Sequence, residues 1–361
     1  MIAANSAWNI LNFRKPLITA LREDDWRVVA LAPPDESVSG IRALGADFVP
    51  ISLDSSGTSI IRDLRSFLDY FKILRRLQPQ AFLGFTVKPN IYGSLAARML
   101  GIRVINNISG LGTAFMKEGT LNRLVSRLYR LALRRSSRVF FQNRHDRQLF
   151  VDRALVSTAQ AQVLPGSGVD LDHFTPAALP AARPFRFLFI GRLLKDKGLV
   201  EYAEAARLLR QAWPEVEFAV LGFVGADNRS AVPRAELERW QCEGLLNYLG
   251  ETDDVRPFIA NSHCVVLPSY REGLPRSLLE SAAMERPMIA TNVPGCSDVV
   301  ADGENGFLCA PRSAPALASA MEAMLRLPAT ERTQMGRKAR EIVERDFDQK
   351  LIVDAYRAAL Q

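Results

Sequence analysis

Two runs of alternating strand and helix patterns, separated by a Pro/Ala-rich stretch at Thr175–Pro184, restrict the architectures open to this chain of 361 residues. Arg27–Ala32, Ala81–Phe85, Val104–Ile108 and Val139–Gln142 read as strands buried on both faces. Helical patterns between them begin near Phe13, Ile60, Asn90 and Thr120. After the break the alternation restarts with Phe185–Ile190, Glu217–Leu221, Cys264–Leu267 and Pro287–Ala290. Such alternation implies parallel sheets covered by helices on both faces. The expected fold class is therefore α/β, with two doubly wound domains facing a central cleft and ligands at the carboxyl ends of the strands. The first strand, Met1–Ala4, is short and is expected at an edge of its sheet, followed by a loop from Asn5 to Arg14.

Composition is consistent with two cores. Hydrophobic residues make up 48% of the chain, enough for two sizeable interiors. No run approaches the ~20 apolar residues that cross a bilayer. Residues 1–15 lack the charged and apolar regions of a secretory signal. Cys242, Cys264, Cys296 and Cys309 are scattered without a C-x-x-C pair, so reduced thiols and a cytosolic setting are expected. The three histidines form no metal-ligand spacing. His145 reads as solvated, while His173 and His263 read as structural. Asp253-Asp254 reads as the start of a helix rather than half of a metal site.

The segment Glu272-Gly273-Leu274-Pro275-Arg276-Ser277-Leu278-Leu279-Glu280 carries the strongest chemical signal. A Gly-Leu-Pro turn entering an apolar helical run aims backbone N–H groups and the positive end of a helix dipole at one point. Pro275 suits the first helical position, and the amides around Gly273, Leu274 and Arg276 are placed to cradle an anion. Glu272 would stand at the mouth of that site and Glu280 about two turns deeper. Carboxylates accept hydrogen bonds from hydroxyl pairs, so the pattern describes a phosphate flanked by hydroxyls, as in a nucleotide sugar. The plainer alternative for Glu280 is a salt-bridged helical glutamate.

A second segment suits the same kind of ligand. The apolar run Phe185–Ile190 leads into Gly191-Arg192-Leu193-Leu194-Lys195-Asp196-Lys197-Gly198 and then a helical stretch. Glycines at both ends of the loop permit tight turns and close approach of a ligand. Arg192 as a planar fork and Lys197 as a point charge can both engage a diphosphate. The alternative is a solvated basic loop with a helix-capping glycine.

Together, Gly191-Arg192-Leu193…Lys197-Gly198 and Glu272…Glu280 resemble the family 4 retaining glycosyltransferases of the GT-B fold. Asn12-Phe13-Arg14, Lys88-Pro89-Asn90-Ile91-Tyr92-Gly93-Ser94, Ser109-Gly110-Leu111-Gly112, Gly166-Ser167-Gly168-Val169-Asp170 and Pro294-Gly295-Cys296 extend the resemblance. Those segments are similar to the branch of bacterial transferases that act on undecaprenyl-diphosphate-linked sugars. The resemblance implies an acceptor domain over residues 1–172, a nucleotide-sugar domain over 173–344, and a final helix crossing back to the first domain. It implies a UDP-hexose or UDP-N-acetylhexosamine donor, with GDP left open, a lipid-linked saccharide acceptor, and neither metal nor other cofactor.

Residue roles follow from the same resemblance. Arg192, Lys197 and Glu272 are the expected catalytic residues, the first two on the diphosphate and the last on the donor sugar. Gly191, Gly273, Leu274, Arg276 and Glu280 complete the donor set, Glu280 accepting from both ribose hydroxyls. Asn12, Arg14, Lys88, Asn90, Gly110 and Gly112 are the expected acceptor set, with Arg14 and Lys88 suited to a second diphosphate. Many relatives carry a histidine after the fourth strand, where this chain has Asn106-Asn107-Ile108-Ser109. The retaining, front-face mechanism that the family implies needs no such base, because the departing diphosphate oxygen takes the acceptor's proton.

Charge is uneven along the chain. Residues 1–175 carry 23 Lys/Arg against 14 Asp/Glu, whereas residues 176–361 carry 23 against 25. From Leu121 to Arg138, apolar residues recur at helical spacing beside a stripe of Arg123, Arg127, Arg130 and Arg134. A basic amphipathic helix of this kind suits an anionic membrane surface. The expected location is therefore peripheral, on the cytoplasmic face of a bacterial plasma membrane; a solvated basic face is the alternative. No aromatic-basic interleaving accompanies the charge, so nucleic acid is not expected as a partner. A dehydrogenase is set aside, because Asn5-Ser6-Ala7-Trp8 stands where its Gly-x-Gly-x-x-Gly turn would be. A sugar-nucleotide epimerase, a transferase with a soluble acceptor and a non-catalytic sensor stay open.

Overall fold

The apolar strand patterns assemble into two separate parallel sheets. The structure, a computed structural model, describes residues 1–53, 60–110, 120–181, 184–225, 228 and 230–361. The first unit comprises Met1–Ser167 and Gln349–Gln361, and the second Gly168–Asp348.

In the first unit the chain runs β1 (Ile2–Ala3), α1 (Ala7–Glu23), β2 (Val29–Ala32), α2 (Val38–Ala43), β3 (Asp47–Pro50), α3 (Ile60–Leu77) and β4 (Ala81–Phe85). It continues through a π-helical turn, Pro89–Gly93, into α4 (Ser94–Met99), β5 (Arg103–Ile108), α5 (Thr120–Leu133), β6 (Arg138–Phe141), α6 (Arg144–Asp152) and β7 (Ala161–Val163). The strand order is β3-β2-β1-β4-β5-β6-β7. The crossover from β3 to β4 passes over β2 and β1, so the order reverses there and the later helices fall on the opposite face. Two sets of core contacts record this. Ile10, Leu17, Ile41 and Tyr356 share a cluster with α1 and α2 on one side, while Tyr70, Leu74, Ala96 and Ala97 pack on the other.

Two expectations change here. Ile2 pairs with both Ala30 and Leu83, so the short β1 lies at the centre of its sheet, not at an edge. The segment expected as a loop from Asn5 is helical from Ala7, because the Ser6 hydroxyl caps it by accepting from the Asn9 N–H at 3.1 Å.

Behind the carboxyl end of this sheet sits a buried polar network. Asn106, wholly buried on β5, donates to Asn90 Oδ1 at 2.8 Å and to Ser94 Oγ at 2.7 Å, and accepts from Ser136 at 2.6 Å. Asn90 in turn donates to the Asn107 carbonyl. A side chain at Gly84 would meet Asn90 Oδ1 at 2.8 Å, so the network demands glycine there.

The second unit runs β8 (Arg186–Ile190), α7 (Leu199–Arg210), β9 (Glu217–Leu221), α8 (Arg234–Cys242), β10 (Asn247–Tyr248), α9 (Arg256–Ala260) and β11 (Cys264–Leu267). It closes with α10 (Arg276–Ala283), β12 (Met288–Thr291), β13 (Gly306–Cys309), α11 (Ala314–Arg326) and α12 (Ala329–Asp346). The strand order is β10-β9-β8-β11-β12-β13. Its core is built from Phe187, Phe189, Val220, Val265 and Ile289 on the strands, with Tyr202, Leu278 and Met321 from the covering helices. The final helix, α13 (Gln349–Leu360), belongs to the first unit, where the Tyr356 hydroxyl accepts from Asn107 Nδ2 at 2.9 Å.

The four cysteines are free. Asp254 stands just before α9, where its carboxylate accepts from the Arg256 amide and guanidinium. His145 and His173 are exposed. His263 is buried, accepting at Nδ1 from the Arg186 N–H and stacked on Phe185. Burial holds its imidazole below the usual histidine range.

Candidate active site

The loops leaving β8, β11 and β12 meet at the carboxyl edge of the second sheet, because these strands are neighbours and parallel. After β8 the chain turns through Gly191 and Arg192 into a short 3₁₀ turn, Lys195–Lys197, that ends at Gly198 with φ +76°. A Cβ at Gly198 would lie 2.1 Å from the Pro268 carbonyl oxygen. Only glycine lets the two loops approach this closely. The Tyr270 N–H bonds to the Asp196 carbonyl at 2.9 Å and ties them further.

That approach brings Lys197 onto Glu272. The ammonium donates to Glu272 Oε1, and the pair is mostly shielded from solvent. Ser269, wholly buried, donates its hydroxyl to the same oxygen at 2.6 Å. Thr291, on β12, donates to the Ser269 carbonyl and fixes the backbone from behind. Gly295 seats itself against Glu272 with φ +85°, where a Cβ would stand 2.9 Å from Glu272 Cβ. Burial, with the Glu272 charge adding to it, pushes the adjacent Cys296 thiol well above the ordinary range.

Glu280 lies on α10, 8% exposed, with Arg276 Nη2 at 2.8 Å from its Oε1. Burial pushes the carboxyl up from its ordinary 4.5, opposed by the Arg276 charge and hydrogen bond. Pro275 is the N-cap of α10, one position earlier than expected. The first bonds of the helix run from Leu278 and Leu279 back to the Pro275 carbonyl, so Gly273, Leu274 and Arg276 stand at its positive end. Leu274 is buried as the apolar floor of the turn. Arg192 is exposed, its guanidinium bonded to none of the described residues.

The expected acceptor residues are distributed differently. Asn12 is exposed on α1, and Arg14 is buried with its guanidinium 4.0 Å above the Phe85 ring. Both lie within a helix and not at a strand end. Lys88 and Asn90 do follow β4, and Gly110, with φ +136°, follows β5. Lys88 pairs with Asp63 at 2.8 Å, so it is not a free charge awaiting a diphosphate. Asn90 is spent on the buried network. Gly112 lies outside the described residues. Ser269 and Thr291 went unread in the sequence; the Pro268-Ser269 step just before Glu272 was the available sign.

The carboxyl edge of the second parallel sheet thus gathers two cation–carboxylate pairs, Lys197 with Glu272 and Arg276 with Glu280. Residues 184–326 match the family described as glycosyl transferases group 1, and residues 4–143 match the glycosyl transferase 4-like family. The chain thus belongs to the glycosyltransferases, with a 4-like first unit and a group 1 second unit.

It is 25% identical over 334 residues to the N,N'-diacetylbacillosaminyl-diphospho-undecaprenol alpha-1,3-N-acetylgalactosaminyltransferase of Campylobacter jejuni, covering 88% of this chain and 86% of that protein. It is also 25% identical to the UDP-Gal:alpha-D-GlcNAc-diphosphoundecaprenol alpha-1,3-galactosyltransferase of Escherichia coli, over 69% of this chain and 67% of that one. Anabaena Alr3699/HepE, in complex with UDP and glucose, superposes with a TM-score of 0.81 at 17% identity, covering 99% of this chain and 98% of that one. A Rickettsia africae glycosyltransferase superposes at 0.80, with 15% identity and coverage of 99% and 97%. The fold is GT-B. No helix among the described residues is long and apolar enough to cross a membrane.

Proposed function

We propose that this glycosyltransferase moves a hexose or N-acetylhexosamine from a nucleotide sugar, most simply a UDP-sugar, to a lipid-linked saccharide, with retention at the anomeric carbon. One observation carries the donor half of this reading. Lys197 and Ser269 both bond Oε1 of Glu272, which leaves Oε2 to accept from a sugar hydroxyl beside a cationic loop.

In this reading Arg192 and Lys197 engage the diphosphate and stabilise the charge that grows as the sugar departs. Gly191 keeps the loop open to the phosphates, and the amides at Gly273, Leu274 and Arg276 add the positive end of α10. Glu280 accepts from the ribose hydroxyls, and Glu272 orients the sugar. The diphosphate oxygen that leaves takes the acceptor's proton on the same face, so no protein base is required. The activities of the Campylobacter and Escherichia relatives support undecaprenyl-diphosphate-linked acceptors.

In the first unit, Asn12, Lys88 and Gly110 are the residues nearest a role in the acceptor site, with Arg14 and Asn90 shaping it from beneath. The α5 helix supplies an anionic-membrane contact. Arg123 and Arg127 are exposed there beside Leu124 and Leu131, and Arg134 is exposed just past its end. Such a contact would hold the enzyme peripherally on the cytoplasmic leaflet, where a lipid-linked acceptor is presented.

The test is release of nucleotide from a panel of UDP- and GDP-sugars, with and without a membrane extract containing undecaprenyl-diphosphate sugars. Extract-dependent release with label entering lipid is the expected result. UDP release without lipid labelling would indicate a soluble acceptor, or an epimerase if the sugar itself changes. Folded protein that releases no nucleotide under any condition refutes the reading.

A further inference from the structure

Among the described residues, ten large hydrophobic side chains are exposed, and five of them lie on α3, α4 and α5. They are Leu64 at 58%, Leu68 at 45%, Met99 at 67%, Leu124 at 52% and Leu131 at 49%. These helices cover the same face of the first sheet, α4 packing against both of the others. The Arg98 guanidinium donates to the Leu131 carbonyl at 2.7 Å and ties the end of α4 to the last turn of α5.

We propose that the outer faces of α3, α4 and α5 form a single docking surface for an anionic phospholipid bilayer, in which α3 is a second foot beside α5. This rests on the reading of a lipid-linked acceptor. On α3, Leu64, Leu68 and Lys72 occupy successive turns of one face, flanked by exposed Arg65, Arg75 and Arg76. On α5, Leu124, Arg127 and Leu131 recur at three- and four-residue steps along one face, with exposed Arg134 just past its end, and that helix has no acidic residue. Both faces therefore set leucines level with a ring of cations. Leucine tips suit the boundary between headgroups and acyl chains, and the cations suit phosphate headgroups.

Charge and shape choose among occupants. Two copies of this face would bring arginines against arginines, which opposes self-association. Single-stranded nucleic acid is held by aromatic platforms, and the exposed apolar residues here are leucine and methionine. The half-buried Asp69 is the acid nearest the α3 face; Asp63 is occupied by Lys88.

Flotation of the full chain with vesicles tests the surface, using phosphatidylcholine alone or with about 30 mol% phosphatidylglycerol. The unmodified protein is expected to float with the anionic vesicles and to be released by salt. Replacing Arg65, Lys72 and Arg76 by Glu, with α5 untouched, should cut partitioning by about 100-fold. Leu64→Ser with Leu68→Ser should cut it by about tenfold while leaving charge unchanged. Both variants alter exposed positions, and an unchanged unfolding temperature excludes misfolding. Flotation of both α3 variants equal to that of the unmodified chain would overturn the proposal, as would tight binding to a single-stranded oligonucleotide without binding to vesicles. UDP titrated calorimetrically into the same preparations keeps the two readings separate. UDP binding without α3-dependent flotation overturns the surface and leaves the transferase reading intact. Flotation that depends on α3 without UDP binding supports the surface and overturns the UDP-sugar donor.

Discussion

Ser269 donates its hydroxyl to Glu272 Oε1 at 2.6 Å, on the same carboxylate oxygen that the Lys197 ammonium engages. One oxygen is thus fixed by two donors from different loops, and the orientation of the other follows from it. Ser269→Ala removes a hydrogen bond to a charged group, worth about 1.5–3 kcal/mol. Because Glu272 is assigned to the sugar and not the nucleotide, affinity for the UDP-sugar should fall roughly 10- to 100-fold while affinity for UDP stays level. Parallel calorimetric titrations with the two ligands measure the split. Equal losses for both ligands would assign Ser269 to the fold of the loop instead.

Arg276 lies 2.8 Å from Glu280 and opposes the upward push of burial on its carboxyl. Replacing Arg276 with Gln removes that opposition, so the carboxyl should titrate higher still. Hydroxyl pairs are read by the ionised form, and UDP binding in Arg276→Gln should weaken on acidification at a higher pH than in the unmodified protein. UDP affinity measured across the acid range checks this, and coincident pH profiles would contradict it.

The same residue gives a stability signature with a definite sign. A carboxyl whose pKa is raised on folding binds more protons in the native state than in the unfolded chain. Stability contributed by this group is therefore greatest below the ordinary 4.5 and is lost as pH rises from there through the native value. Glu280→Gln should flatten that limb of the curve. Denaturant titrations at a series of acidic pH values, compared for the two proteins, decide the point.

Gly198 tests the loop-to-loop approach that creates the site. A Cβ there combines a left-handed backbone with a 2.1 Å clash against the Pro268 carbonyl. Gly198→Ala should cost about 2–4 kcal/mol of stability. It should also weaken UDP binding, since Lys197 precedes it. A variant as stable as the unmodified protein, with normal UDP affinity, would refute the close packing of these loops.

Arg286 is a buried cation held by backbone carbonyls of the second unit. It is wholly buried, and its guanidinium donates to the carbonyls of Ile259, Ala260, Ala177 and Ala178 at 2.6–3.0 Å. Burial, opposed by the nearby Glu285 charge, lowers its pKa to about 10. Arg286→Met strands those carbonyls and should destabilise the protein by about 3–5 kcal/mol. Thermal unfolding measures it, and a loss below about 1 kcal/mol would show that water replaces the guanidinium.

The central strands could be read directly from the sequence, because β4, β8, β9, β11 and β12 are buried on both faces and appear as apolar runs, and β5 does so up to its buried Asn106-Asn107 pair. The edge strands could not. Asp47–Pro50 and Asn247–Tyr248 are half-exposed, and only a neighbouring strand makes them part of a sheet. The two charged turn motifs were equally legible, since a turn with glycine, proline and charge at fixed offsets is a local arrangement. Which partner each charge finds is not local. Lys88 meets Asp63 across 25 positions, and Lys197 meets Glu272 across 75. Arg14 is buried against Phe85 because α1, capped by Ser6, begins at Ala7 and turns that side chain inward. The sequence by itself determined the layered α/β plan and the two charged turn segments, Gly191–Gly198 and Glu272–Glu280, of the candidate site, through periodicity and turn chemistry. Only the tertiary structure decided which cations are already paired, which serine holds Glu272, and which leucines remain exposed, because those depend on distances between segments far apart in the chain.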